Sequence, residues 1–404
     1  MTAAAETRFA RLATLLRDGR DFLVSLKLTI VLLLFSMVLV FAGTLDQVNL
    51  GIWAVQEKYF RTFFVLWRAG DVPIPIFPGG YFIGGLLLIN LVSAHLYRFK
   101  RSWKKAGIEL THAGLILLLL GELFTGLWQE DFSMRLEQGR SKNYSESFRD
   151  NELAIVDTTD ANTDEVVAIP ESFLARGEAI QHPKLPFRVV VREYHPNASI
   201  RSRAPHAEGA KAMNDPPSKA NKGIGPQVVA TPLPLTYKQN ERNLPAAYIE
   251  LVGTEGSLGT WLVTADPRLD PQSFDHGGRK YTIALRFTRD YKPFNLTLLK
   301  FSHDRYAGTE IPKNFSSNIR LQDGTEDREV LIYMNNPLRY AGYTFYQASY
   351  DPENPNVTIL QVVRNPSWLI PYIACAMMTF GLLLQFSIHL VGFLKRRAAR
   401  PSLA

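Results

Sequence analysis

Four apolar runs stand out along the chain: Leu26–Gly43, Tyr81–Tyr97, residues 107–128 and Trp368–Leu394. Each is close to the ~20 residues that carry a helix across a bilayer core. Between the third and the fourth the pattern changes. Residues 129–366 alternate short β-type runs with turn residues, among them FRVVVREY, AAYIELVG, KYTIALRF, FNLTLLKF, YTFYQASY and VTILQVV, and long helical periodicity is absent. The predicted fold class is therefore membrane α-helical, with four transmembrane helices, plus a large β-rich extracytoplasmic domain built as a sandwich or barrel-like sheet.

The pattern divides the chain further. Residues 1–25 precede the first span, and 26–128 hold three spans at about 26–43, 81–97 and 107–128. The β-rich domain follows at 129–366, the fourth span at 367–394 and a basic tail at 395–404. The first apolar run is longer than a typical signal h-region and no A-x-A-like site follows it, so it reads as a retained span. Residues 44–80 form an external loop rich in aromatic side chains, including Tyr59, Phe60, Phe63, Phe64 and Trp67. They suit a helix lying at the interface, broken before span two by Pro73, Pro75 and Pro78. Residues from about 200 to 243 are rich in Pro, Ala, Lys and Gly and read as a long mobile insertion.

Charge and cysteine usage narrow the function. The formal net charge of +7 is compatible with nucleic-acid binding, but its placement gives it another meaning. Arg8, Arg11, Arg17 and Arg20 precede span one; Arg98, Lys100, Arg101, Lys104 and Lys105 fill the loop between spans two and three; Lys395, Arg396, Arg397 and Arg400 follow span four. By the positive-inside rule all three clusters are cytoplasmic, which puts 129–366 outside a bacterial cytoplasmic (inner) membrane. No nucleic-acid role is needed. The sole cysteine, Cys375, lies within span four, and there is no Cys-x-x-Cys-His. The chain therefore holds no covalent c-type haem, and its external domain performs no thiol chemistry.

The candidate chemistry sits in span three, where His112 interrupts GIELTHAGLILLLLGELFTGLW. An ionisable side chain in hydrocarbon faces a partner, a cavity or a ligand, and imidazole is a common axial ligand of haem iron. Lys105 marks the cytoplasmic edge, and seven residues of helix rise ~10 Å, placing His112 in the inner leaflet. The other reading is a histidine hydrogen-bonded to a neighbouring span. His95 and His389 lie near the cytoplasmic ends of spans two and four, at a depth expected to be similar. Either, paired with His112, would make a bis-histidine haem b redox protein; alternatively both are interfacial. Glu109 is placed to orient His112 or to sit at the interface. Glu122 suits a packing or partner-helix contact. The external histidines His182, His195, His206, His276 and His303 show no paired metal spacing. The aromatic run Tyr340, Tyr343, Phe345, Tyr346 and Tyr350 reads as strand core. No nucleophile triad, phosphate loop or metal quartet is present, so no hydrolytic function is indicated.

Several stretches together resemble the ResB (CcsB) family of system II cytochrome c biogenesis proteins. They are GTLDQ at Gly43–Gln47 with KYF at Lys58–Phe60, THAGLILLLLGE leading into MRLEQG at Met134–Gly139, YKPFNLTLLKFSHDRYAGT at Tyr291–Thr309, and MNNPLRYAGYTFYQASYDP at Met334–Pro352. The four-span layout with one large external domain agrees, while the 200–243 insertion has no placed counterpart. The resemblance implies haem as cargo (haem b) and His112 as the transmembrane iron ligand. It also implies a ResC/CcsA-type polytopic membrane subunit as partner, apocytochrome c as client and a separate thioredoxin-like thiol reductant. The six tryptophans are scattered and form no Trp-rich external motif, so the resemblance is to one half of a split haem-attachment complex. A non-haem assembly scaffold is the remaining alternative.

Overall fold

The computed structural model describes residues 14–398 except 71, 99–101, 162, 204–214, 216, 237–240, 306–307, 309–311 and 352–353. The chain divides into two compact units, a helical one (up to Gln129, and from Asn365 onward) and a β-rich one (Glu130–Thr236 with Asn240–Arg364).

The helical unit contains four helices long and apolar enough to cross a membrane: α1 (Leu26–Leu50), α2 (Gly80–Ser93, extended by a π turn Ala94–Arg98), α3 (Ala106–Trp128) and α4 (Ile370–Ala398). Most of their large apolar side chains are exposed, as lipid-facing surfaces require. Helices in lipid gain little from hiding such surface, so contact falls to small residues and internal hydrogen bonds. Gly107, Gly114 and Gly121 recur every seventh residue and are all buried, as are Ala374 and Gly381 opposite them. A Cβ at Gly107 would lie 2.4 Å from the Gly381 carbonyl oxygen, and one at Gly381 would lie 2.8 Å from that of Gly107. The α3–α4 seam thus exists because neither partner carries a side chain there. Gln385 closes the end of the seam at the start of α3. Its carbonyl oxygen accepts from the Ile108 amide at 3.2 Å and its amide donates to the Lys104 carbonyl at 3.1 Å, satisfying backbone groups that a helix start leaves open. At the far end Asn365 donates to Thr125 and Gln129, and Thr125 is 2.9 Å from Ser367. Buried Asn90 ties α2 to α1, accepting from Thr29 at 2.7 Å and donating to the Leu23 carbonyl at 2.6 Å.

The loop between α1 and α2 departs from the expected interfacial helix. Only Ile52–Val55 and a π turn, Gln56–Phe60, are helical. The rest is a hairpin of β1 (Phe64–Ala69) and β2 (Val72–Pro78). Pro73 and Pro75 do not break a helix; they share one side of a strand that has a single neighbour, where a missing N–H costs no ladder bond.

The β-rich unit carries a ten-stranded antiparallel sheet. Its main path runs β15 (Asp327–Tyr333), β14 (Pro312–Gln322), β13 (Arg279–Arg305), β4 (Ser141–Asp157), β3 (Glu130–Glu137), β18 (Val357–Arg364), β17 (Tyr343–Tyr350), β16 (Leu338–Tyr340), with β5 (Glu165–Pro170) added to β4 and β12 (Gln272–His276) to β13. The sheet curls until it nearly closes as a barrel. Ile332 of β15, Leu338 of β16 and Phe345 of β17 share one buried core with Met134, Leu136, Phe294 and Leu296. A second core lies where the other halves of β4 and β13 face a four-stranded sheet, β6 (Ala179–Ile180), β7 (Arg188–His195), β10 (Ala246–Gly253) and β11 (Gly256–Thr264), packed through Leu153, Ile155, Val189, Ile249, Trp261 and Ile283. A small pair, β8 (Ala198–Ser202) and β9 (Val228–Pro232), completes the unit. The two runs KYTIALRF and FNLTLLKF belong to one continuous strand, β13, which bends through register shifts after Phe287 and Tyr291 and so serves both cores.

The 200–243 stretch is read differently by the structure where it is described. Residues 217–236 include β9 and a 3₁₀ turn at Gly225–Gln227, and Ala220, Val228 and Val229 are buried. The parts at 204–214, 216 and 237–240 lie outside the described residues, as do His206, Arg8, Arg11, Lys100, Arg101 and Arg400.

Candidate functional site

His112 is partly buried in the second turn of α3. Its Nδ1 is 2.8 Å from the Ile108 carbonyl oxygen. A carbonyl only accepts, so Nδ1 is the donor in this contact. Backbone-held imidazole with its lone pair on the distal nitrogen is the form that binds a metal. At 100° per residue His112 lies ~140–180° around α3 from Gly107, Gly114 and Gly121. The glycine seam therefore fixes which way His112 faces: away from α4. Thr111, its neighbour in sequence, donates to the Gly107 carbonyl at 2.9 Å and sits on the seam side, where a Cβ at Gly381 would meet its hydroxyl. Glu109 keeps one carboxylate oxygen buried without a hydrogen-bond partner.

The expected common depth of three histidines does not hold for His389. Gly107 sits level with Gly381 and Gln385, Gly114 with Ala374 and Met378, and Gly121 with Ile370. That antiparallel register sets His112 opposite Met378. His389 is eleven residues further along α4, or ~16 Å at 1.5 Å per residue. It is also exposed. Its place beyond the start of α3 follows from the seam register, which the sequence does not reveal. His95 lies in the π turn that ends α2 and is partly buried.

The opposite ends of α1, α2 and α3 enclose a cavity of about 900 Å³. Two of the sequence motifs build its wall. Asp46, in GTLDQ, accepts from Lys58 Nζ at 2.6 Å and from the Tyr59 hydroxyl at 2.8 Å, both in KYF. Gly43 lets the Phe60 ring approach, since a Cβ there would lie 3.2 Å from it. These contacts pin the Gln56–Phe60 turn against the end of α1. Gly84, Gly85 and Gly126 also face the cavity, and a Cβ at any of them would meet nothing within 4 Å. The reading of the sequence missed this feature; the adjacent glycines of YFIGGLLL inside an apolar run were its one visible signal.

The motifs of the β-rich unit meet in its barrel core. Phe294 packs edge-on against Tyr340 and Phe345, with ring centroids 5.1 Å and 6.1 Å apart. Of the aromatic run, Phe345 is buried in this core and Tyr340, Tyr343 and Tyr350 pack against it, while Tyr346 is exposed. Lys292, whose side chain is wholly buried, donates to Ser145 at 2.7 Å and to Asp290 at 2.9 Å, and its ammonium lies 4.2 Å from the Tyr343 ring centroid. Burial pushes its pKa below the usual lysine value, opposed by Asp290. His303 stacks on Phe315 at 4.8 Å and packs against Tyr350 at 4.3 Å. His182, His195 and His276 lie apart from one another on different strands and turns. Among the described residues no three His, Cys, Asp or Glu side chains cluster to hold a metal ion.

Comparison with known proteins places this second set of motifs. Residues 256–359 match the model of the ResB-like family, a span that contains both Tyr291–Thr309 and Met334–Pro352 and excludes His112. The chain is also 38% identical over 93 residues to Protein NrfI of Wolinella succinogenes. That match covers 22% of this chain and 10% of NrfI, so the chain aligns with only a small part of that relative.

Proposed function

We propose that this chain, whose residues 256–359 match the ResB-like family model, acts in cytochrome c biogenesis, as a membrane subunit of a system II complex that moves haem across the membrane and attaches it to apocytochrome c. Haem is cargo in this reading. One observation carries it: in a chain with a ResB-like domain, His112 projects from the α3 face opposite the seam, with its ring oriented by the Nδ1 contact to the Ile108 carbonyl. An imidazole oriented by backbone in this way fits an iron ligand. One imidazole leaves an axial position open, and a ResC/CcsA-type polytopic subunit packed on the open face of α3 would supply the second ligand.

The β-rich unit, placed outside the membrane by the basic flanks, serves as the docking domain for that subunit and for apocytochrome c. Thioether formation adds a cysteine S–H across each haem vinyl C=C, so the client thiols must arrive reduced. Cys375 lies within α4, so a separate thioredoxin-like reductant is required.

The test is the haem content of the complex purified with its polytopic partner. His112→Ala is expected to lower it, exogenous imidazole to restore it in part, and His182→Ala to leave it unchanged. Full haem retention by His112→Ala with an unshifted absorption spectrum would remove His112 as a ligand and favour the non-haem scaffold. Stoichiometric haem in the chain purified alone would favour a bis-histidine centre with His95.

A further inference from the structure

The function just proposed does not use the cavity at the far ends of α1, α2 and α3. Its lining on α3 is Leu119, Glu122, Leu123, Gly126 and Leu127. At 100° per residue Leu119 and Leu123 fall within ~20° of His112 around the helix, and Gly126 within ~40°. Cavity and histidine therefore occupy one face of α3. The cavity begins about two helical turns, ~10 Å, beyond the imidazole, toward the end from which the chain enters the β-rich unit.

The lining selects a class of ligand. About 900 Å³ lies at the upper end of the range for small-molecule sites, ~300–1,000 Å³. The body of the cavity is apolar and its glycines leave flat, unobstructed helix surface at Gly84, Gly85 and Gly126. Its polar lining residues are Thr44, Gln47, Gln56, Arg61, Tyr81 and Glu122. The Gln56 amide oxygen is buried with no hydrogen-bond partner, and an amide turned over offers its NH₂ instead. Arg61 has one nitrogen 3.1 Å from Glu57, which leaves most of its fork of donors available for a second carboxylate. Glu122 is the single acid in the lining, so a ligand carboxylate belongs at the Arg61 end. Among the lining residues there is no His, Cys or Met, so nothing there would bind an iron axially.

We infer that this cavity is an exit-side porphyrin subsite, which takes the flat apolar macrocycle against the glycine surfaces of α2 and α3, with its carboxylates toward Gln56 and Arg61. The inference rests on the haem-handling reading above, and adds to it a second resting place that grips the ring and its carboxylates without gripping the iron. A ligand released from His112 would reach it along one helix face.

Metal-free protoporphyrin IX tests this separately from iron ligation, because it has no axial position for His112 to fill. The probe is titrated by fluorescence into the purified full chain in phosphatidylcholine nanodiscs, with empty nanodiscs as the baseline. Saturable binding is expected, unchanged by His112→Ala, weakened at least ~10-fold by Gly85→Leu, which fills the cavity, and weakened several-fold by Arg61→Gln. Gln56→Leu provides a second polar probe that adds no bulk, should Gly85→Leu fold poorly. Binding no greater than in empty nanodiscs, or equal in Gly85→Leu and the parent, would overturn the subsite. So would displacement of the probe by added fatty acid with the same variant profile, which would make the cavity a lipid site. Loss of haem from the His112→Ala complex stands or falls independently of these outcomes.

Discussion

Adding one methyl group to Gly107 tests the seam that aims His112. In Gly107→Ala the new carbon would sit 2.4 Å from the Gly381 carbonyl oxygen, 2.5 Å from the Gln385 amide nitrogen and 2.6 Å from the Gln385 Cβ. Backbone atoms on α4 cannot rotate aside, so the helices must separate, and overpacking of this kind costs ~1–3 kcal/mol. Glycine to alanine within a helix also returns ~0.5–1 kcal/mol of backbone entropy and propensity. Gly126→Ala supplies the control on the same helix, since a Cβ there meets nothing within 4 Å. The propensity gain cancels between the two variants, so their difference isolates the packing cost and should be ~1–3 kcal/mol. Gly114→Ala should fall between them. Its closest neighbour at 2.8 Å is the flexible Met378 side chain, although the Ala374 carbonyl oxygen follows at 2.9 Å. The assay is reversible unfolding of the detergent-solubilised chain by graded SDS, followed by tryptophan fluorescence. If Gly107→Ala and Gly126→Ala unfold together, the seam is looser than described and the orientation argued for His112 loses its basis.

Topology is open to a direct measurement: reporter fusions at Ser102 and Lys142 are expected on opposite sides of the membrane, and the same side for both would undo the external placement of the β-rich unit. Lys292 makes the barrel core sensitive to alkaline pH. Its folded pKa is depressed, so the cost of burying its charge is present below that pKa and is relieved as pH rises toward the unfolded value. The unfolding midpoint of the parent should therefore gain on that of Lys292→Met between pH 8 and 10.5, and parallel curves would refute it. Asp323 titrates in the opposite sense. The Tyr340 hydroxyl, Thr325 and the Glu326 amide hold its carboxylate well below the ordinary range. The stability this contributes is present above the unfolded carboxylate pKa and is lost as pH falls below it. Tyr340→Phe should therefore be less stable than the parent at pH 6, with the gap closing only as pH falls well below the ordinary carboxylate range; a gap that never narrows in acid would assign the loss to packing alone.

Much of this protein was legible because membranes and sheets impose simple periods. An apolar run of span length has few alternatives to a helix in hydrocarbon, so the four spans could be read directly. Short β-type runs bounded by turn residues marked AAYIELVG and YTFYQASY, which are β10 and β17 to the residue. The 44–80 loop misled because its aromatic side chains suit an interface in either helix or hairpin, and only the pairing of β1 with β2 gives its prolines a harmless edge.

His112 itself, the charge asymmetry around the spans and the ResB-like stretches were all properties of the linear chain. What surrounds His112 was not. That Gly107 meets Gly381, Gly114 meets Ala374 and Gly121 meets Ile370 depends on the register between two helices separated by the entire β-rich unit in sequence. That register decides the face His112 presents and puts His389 off its level. Likewise Asp46 meets Lys58 and Tyr59 only because the chain turns back at Gly51, which adopts a positive φ of 79° as the cap of α1. The cavity beside that turn is formed by segments each unremarkable alone. Residue types set which local structures and which chemistry are available; close approach of distant backbone, permitted here by missing side chains, decides which of them face one another.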